Sequence, residues 1–143
     1  MSTIKKYQEK DVFDAAADRI AYVFDNFERV YVSFSGGKDS TVMIHMVMDE
    51  AIKRNRKIGI LVIDLEAQYK VTMEHIAQVL DDYKEHIEVF WVCLPIKLRN
   101  AVSQYEPVWC CWDPDKRDAW VRELPSHPGT VSDPAFFPFF ESR

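Results

Sequence analysis

The chain has 143 residues, which suits one domain with its own core, and no stretch approaches the roughly 18 apolar residues that a membrane helix needs. The formal net charge of −5 gives no long-range attraction for nucleic acid, so that partner class is disfavoured, although a local basic patch is not excluded. The N-terminal residues lack a secretory signal pattern, and three cysteines do not suggest a disulfide framework, so we expect a cytoplasmic protein with reduced thiols.

The predicted elements alternate between helices and strands. Apolar residues recur at helical spacing in three segments: 11–27, 42–54 and 70–83. Continuously apolar runs typical of buried strands lie between them: 30–34, 58–63 and 86–94. Because these strands are apolar on both faces, we predict an α/β fold, a three-layer sandwich with a parallel sheet covered by right-handed crossover helices. Ligands of such sheets bind beyond the carboxyl ends of the strands.

The C-terminal part of the chain differs in composition. Pro95 is predicted to open one more short helix, reaching Val102. Six of the seven prolines and three of the four tryptophans follow residue 105. We therefore divide the chain into an α/β core at 1–105 and an irregular, Pro/Trp-rich extension at 106–143 that packs on the same domain.

The loop after the first strand predicts a phosphate site. Gly36 and Gly37 let main-chain N–H groups converge on an anion, and the following helix directs its positive dipole end to the same point. Lys38 adds a positive charge, and Ser35 and Ser40 add hydroxyl donors. Neither the GxxxxGK[ST] loop nor the GxGxxG fingerprint fits these residues. The alternative is a solvated turn.

The sequence SFSGGKDST, residues 33–41, resembles the PP-loop of the adenine nucleotide alpha hydrolase superfamily. Further along, IDLEAQYKVTMEHI resembles the segment after the second strand of phosphoadenosine phosphosulfate (PAPS) reductases, through Asp64, Tyr69 and Thr72. The sequence from Val92 to Pro125 is similar to that of PAPS-reductase-like proteins loosely called phosphoadenosine phosphosulfate sulfurtransferases. The chain resembles only the N-terminal part of those longer proteins, so the domain is apparently shortened.

The resemblance implies binding of ATP or PAPS with Mg²⁺, and chemistry at the alpha phosphate with release of pyrophosphate or a step in sulfonucleotide metabolism. It implies a catalytic role for Lys38 and Asp39, with Asp39 as the candidate Mg²⁺ ligand. The expected nucleotide contacts are Ser33, Ser35, Gly36, Gly37, Lys38, Asp39, Ser40, Thr41, Asp64 and Glu66. Asp64 and Glu66 could instead cap a helix.

Two other functions stay open. The chain could be a catalytically incomplete regulatory module or the subunit of a split enzyme, with a protein partner that supplies the missing elements. It could also belong to a system that thiolates or phosphorothioates nucleic acid. No iron–sulfur cluster is expected, because Cys110 and Cys111 lack a second pair and fit better as structural thiols.

Three histidines fit ordinary packing, surface or loop positions better than catalysis. His45 and His75 lie in predicted helices and His127 in a loop, without partners at metal-ligand spacing. The aromatic residues of the extension could form a stacking surface with two arginines, but we expect them to pack the extension onto the sheet. This set comprises Trp109, Trp112, Trp120, Arg117 and Arg122.

Overall fold

The computed structural model describes residues 9–136. Three helices are present: α1 (Val12–Asn26), α2 (Lys38–Lys53) and α3 (Lys70–Asp82). The strands are β1 (Tyr31–Ser33), β2 (Ile58–Ile63), β3 (Ile87–Val92), β4 (Ile96–Arg99), β5 (Val108–Cys111) and β6 (Thr130–Val131). Two 3₁₀ segments complete the list, a kinked one at Pro114–Ala119 and a turn at Pro134–Phe136. None of the helices in this part of the chain is long and apolar enough to cross a membrane.

Four strands form one parallel sheet in the order β1-β2-β3-β6. Val32 pairs with Ile60 and Ile60 with Val89, so the carboxyl ends of the strands lie at one edge of the sheet. The predicted α/β fold with a parallel sheet is therefore confirmed. β4 and β5 form a separate antiparallel pair.

The hydrophobic core lies between α2, α3 and one face of the sheet. Ile44 and Met48 of α2 and Leu80 of α3 are buried together with Ile60 and Val62 of β2. The chain moves from β1 to β2 to β3 in one direction, and right-handed crossovers in one direction place their helices on the same face. We call this face the helix face, and the other the outer face.

One predicted helix is wrong. Residues after Pro95 form β4, which pairs with β5 through partners such as Ile96 with Cys111 and Leu98 with Trp109. Ile96 and Leu98 alternate with exposed residues, which is the period of a strand, and both pack on the core. The pairing with a strand about ten residues later outweighs the local helix-opening tendency of proline.

The extension is also more regular than we predicted. It contains β5, both 3₁₀ segments and β6, and β6 hydrogen-bonds to β3 as the fourth strand of the sheet. With two residues, β6 is too short to leave a strand pattern in the sequence. Cys111 and Trp112 of the extension belong to the core cluster.

Candidate functional site

The turn after β1 has a backbone that only glycine accommodates well. Phe34 is buried, and the chain then reverses at Gly36, whose φ is +73°. A Cβ at Gly36 would lie 2.8 Å from Cγ1 of Ile76 and 3.0 Å from Cγ2 of Thr72, both on α3. Gly36 is therefore required both by its conformation and by the close approach of α3.

Hydroxyl groups hold the turn in place. Ser40 and Thr41 each donate a side-chain hydrogen bond of 2.9 Å to the carbonyl of Gly37. The Oγ atoms of Ser35 and Ser40 are 3.0 Å apart. Thr41 Oγ1 also lies 2.9 Å from Nε2 of His75, and because Thr41 donates to Gly37, His75 acts as the donor in this contact. The turn is thereby connected to α3.

The first turn of α2 presents donors without partners. Gly37 precedes α2 as its N-cap and supplies no side-chain cap. Within residues 9–136, the N–H groups of Lys38, Asp39 and Ser40 make no hydrogen bond. The side chains of Lys38 and Asp39 are each 92% exposed, with Nζ and Oδ1 3.7 Å apart. We call residues 35–40 the cradle; it combines free N–H groups, a helix dipole and a lysine at the surface.

Asp64, after β2, is fully buried and its oxygens have protein partners. Oδ1 accepts from the N–H of Glu66 at 2.8 Å and from the guanidinium of Arg122. Oδ2 accepts from Nε1 of Trp91 at 2.8 Å. The carbonyl of Asp64 accepts from Nε1 of Trp112 at 2.7 Å. A carboxylate held in this way binds the extension to the sheet.

Glu66 is the second buried carboxylate, and its φ is +65°. Its Oε2 accepts from the N–H of Trp112 at 2.6 Å, and Oε1 accepts from the N–H of Val121 at 2.8 Å. Its carbonyl accepts from Nε of Arg122 at 2.9 Å. Asp64 and Glu66 therefore form one polar cluster with the extension, which we call the anchor.

Comparison with known proteins gives the family. The model of the phosphoadenosine phosphosulfate reductase domain matches residues 29–106, more than half of the chain, including the cradle and the loop after β2. The chain belongs to this family. It is 40% identical over 142 residues to the uncharacterized protein YbdN of Escherichia coli, a match that covers 99% of this chain and 34% of that protein. The chain thus spans about a third of the length of the curated relative it matches. No solved structure matches it.

Cysteines are candidate reactive residues in this chain, but its three thiols lie in surroundings that favour the neutral form. Burial raises the pKa of Cys93, Cys110 and Cys111 above the ordinary thiol value, most strongly for Cys93. Sγ of Cys111 donates to the carbonyls of Leu94 and Ile96 at 3.6 and 3.5 Å. The thiolate is the reactive and metal-binding form; the buried Cys93 and Cys111 are therefore placed for packing, whereas Cys110 is partly exposed and lines a cleft. Across residues 9–136, no three side chains of His, Cys, Asp or Glu are grouped to hold a metal ion.

Trp112 and Trp120 of the extension pack against each other. Trp112 is buried, its ring meets that of Trp120 edge-on at 5.1 Å, and the guanidinium of Arg122 lies 5.0 Å from its centroid. Arg117 lies over Trp120 at 5.4 Å. Since Trp112 has no free face, it cannot stack on a base. A cleft of about 510 Å³ remains beside Glu66 and Trp109.

The sequence alone gave too little weight to two residues. His75 was considered only for packing, yet it contacts the cradle through Thr41. Arg122 was expected to pack the extension onto the sheet, but its polar partners there, Asp64 and Glu66, were not predicted; they lie more than 50 residues earlier in the chain. Two further histidines contact aromatic residues: the exposed His45 has Nδ1 2.6 Å from the hydroxyl of Tyr83, and His127 lies against Trp91.

Proposed function

We propose that the chain binds the phosphates of an adenine nucleotide, ATP or PAPS, at the cradle. The observation that carries this proposal is the set of three unpartnered N–H groups at the start of α2, next to a glycine turn that α3 holds closed. The first N–H groups of a helix have no partner within the helix, and a helix N-terminus next to a glycine turn and a lysine suits an anion. Membership in the PAPS reductase family supports the same ligand class.

Each group of the cradle has a role in this proposal. The N–H groups of Lys38, Asp39 and Ser40 donate to phosphate oxygens, and the ammonium of Lys38 neutralises their charge. With ATP, in a reaction at the alpha phosphate, a nucleophile from the acceptor forms a bond to phosphorus while the bond to the bridging oxygen breaks, and pyrophosphate leaves with the electron pair. Donors already in place stabilise the charge that develops on these oxygens.

Asp39 is suited to assist a magnesium ion. Its carboxylate is exposed at the cradle and is the only carboxylate there within the described residues, so the protein contributes few ligands. This fits Mg²⁺, which keeps several waters and is commonly held by one or two carboxylates and the phosphates of the substrate. When bound, Mg²⁺ supplies further charge neutralisation at the phosphate oxygens.

Calorimetric titration of the purified chain with Mg-ATP, and separately with PAPS, tests the proposal. We expect binding of at least one nucleotide and a loss of affinity of tenfold or more in Lys38→Ala. Lys53→Ala is the matched control, because Lys53 lies at the opposite end of the same helix and pairs with Glu50 at the surface. An equal affinity in the two variants, with both folded by circular dichroism, contradicts the cradle as the phosphate site.

A further inference from the structure

A cleft of about 540 Å³ lies beside α3 on the helix face of the sheet. Its apolar wall combines side chains of α3, β3 and the extension: Met73, Ala77, Trp91, Val121 and Pro125. The cradle meets α3 at Thr72 and Ile76, which lie on a different side of that helix from Met73 and Ala77. The cleft is therefore separate from the cradle.

The anchor fixes two walls of this cleft. Asp64 accepts a hydrogen bond from Nε1 of Trp91 at 2.8 Å and another from the guanidinium of Arg122. The ring of Trp91 meets that of His127 at a centroid distance of 5.9 Å. The carbonyl of His127 in turn accepts from the N–H of Thr130, in β6, at 3.0 Å. Walls held in this way are in place before a ligand arrives, as in most sites for small molecules.

Gln68, between β2 and α3, supplies an acceptor that the protein does not use. Gln68 lines the cleft, and its Oε1 is shielded from solvent without a hydrogen bond. It is the only buried side-chain nitrogen or oxygen of residues 9–136 in that condition. Such atoms are uncommon and costly. Because no bond holds Oε1, the carboxamide can turn it towards the cleft without breaking one there, and Gln68 is free to accept from a ligand.

The charges around the cleft are compensated in pairs. Nζ of Lys70 lies 3.6 Å from Oε1 of Glu74 at the exposed rim, and the guanidinium of Arg122 is paired with the buried Asp64. Nδ1 of His127 accepts from a backbone N–H of its own loop at 3.0 Å, so the neutral ring carries its proton on Nε2. The groups left for a ligand are therefore one donor and one acceptor, with no unpaired charge.

We propose that this cleft binds a neutral cyclic amide, a ring that carries an N–H next to a carbonyl. The N–H donates to Oε1 of Gln68, and the carbonyl accepts from Nε2 of His127. The ring system packs against Met73 and Trp91. A neutral ring takes no charge out of water, and its N–H removes the cost of the unsatisfied acceptor. The site does not depend on nucleotide binding at the cradle.

The test is titration of the full chain with quinolin-2-one, a neutral fused-ring lactam. Binding is followed by the NMR signal of the indole N–H of Trp91, which is identified by its loss in Trp91→Phe. We expect a Kd of about 1 mM or tighter, as for a fragment of this size. 1-Methylquinolin-2-one keeps the rings and the carbonyl but lacks the N–H, so it should bind about tenfold more weakly, the equivalent of one hydrogen bond.

Gln68→Met keeps the length of the side chain and removes its carboxamide. This variant should bind quinolin-2-one about tenfold more weakly than the wild type, and the advantage of quinolin-2-one over its methylated form should disappear. Its stability in urea should not fall, because the change removes an unsatisfied acceptor. A loss of stability means that Gln68 is bonded within the fold, and it overturns the proposal.

Gln78→Met is the matched control. Gln78 is exposed on the same helix, donates to Asp82 and does not line the cleft, so this variant should bind quinolin-2-one as the wild type does. Equal affinity of the Gln68→Met and Gln78→Met variants overturns the proposal. So does absence of binding by the wild type, or binding that shifts the signals of other tryptophans and leaves that of Trp91 unchanged.

Discussion

The loops after β1 and β2 lie side by side at the carboxyl edge of one sheet and differ in how their polar groups are satisfied. Each contains a residue in the left-handed region, Gly36 with φ +73° and Glu66 with φ +65°. In the cradle, three N–H groups lack partners and Lys38 extends into solvent. In the anchor, both carboxylates are buried and every carboxylate oxygen accepts a hydrogen bond.

This difference separates a binding function from a structural one. Groups that a protein keeps for its own fold are satisfied internally, because a buried unpaired polar atom costs about 1–3 kcal/mol. Groups kept for a ligand are left accessible. Asp64 and Glu66, the acidic residues after β2, were predicted as nucleotide contacts, and that role stays a prediction. In the structure, their carboxylates accept hydrogen bonds from the extension and hold it on the sheet.

The largest expected effect is a loss of stability in the anchor. Glu66→Ala leaves the buried N–H of Trp112 and the N–H of Val121 without acceptors, so the free energy of unfolding should fall by about 3 kcal/mol. Urea denaturation measures this. Glu74→Ala, which removes an exposed glutamate of α3, should change it by less than about 0.5 kcal/mol. A similar small loss in both variants means that the extension is held by apolar packing alone.

The next effect distinguishes two neighbouring glycines of the cradle. Gly36→Ala places a side chain in the left-handed region and against Ile76, so we expect a loss of about 2 kcal/mol and weaker nucleotide binding. Gly37→Ala meets only an ordinary contact of 3.5 Å, to Oγ of Ser35, and should cost under about 1 kcal/mol as an N-cap change. Denaturation and titration of both variants check this. Equal tolerance of the two changes contradicts the close approach of α3.

Local patterns in the sequence predicted much of the fold and the place of the cradle. The continuously apolar strands and the glycine pair identified the alternation of helices and strands up to β3 and the position of the cradle, because both depend on neighbouring residues. β4 was missed because Pro95 favoured a helix start and the pairing with β5 leaves no signal within β4 itself, and β6 was missed because two residues carry no pattern.

The anchor could not be found in this way. Asp64 and Arg122 are 58 residues apart, and a single pair of opposite charges has no signature at that separation. At one apolar residue of the outer face, the sequence pattern and the structure differ. Ile63 predicted burial on both sides of the sheet, yet it is half exposed in the structure.

A smaller effect concerns the pH dependence of stability, through Cys93, which lies near Asp64 of the anchor. Burial, and then the nearby charge of Asp64, raises the pKa of Cys93 far above its ordinary range. Above about pH 8.5 the unfolded thiol loses its proton while the folded thiol keeps it, so stability falls as pH rises, by up to about 1.4 kcal/mol per pH unit for this group. Unfolding between pH 8 and 10 should show a shallower slope in Cys93→Ala than in the wild type. An unchanged slope places Cys93 in contact with solvent.

The smallest effect separates two histidines that both connect α2 with α3. His75 donates to Thr41 at the cradle, whereas His45 bonds to Tyr83 near the other end of α3. Each change to alanine removes about one hydrogen bond, so both variants should lose about 1 kcal/mol of stability. Only His75→Ala frees Thr41 and loosens the first turn of α2, and it alone should weaken nucleotide binding, by about fivefold. If His45→Ala weakens binding as much, the cradle depends on the general packing of α2 against α3, and the tether from His75 has no separate part in holding its donors.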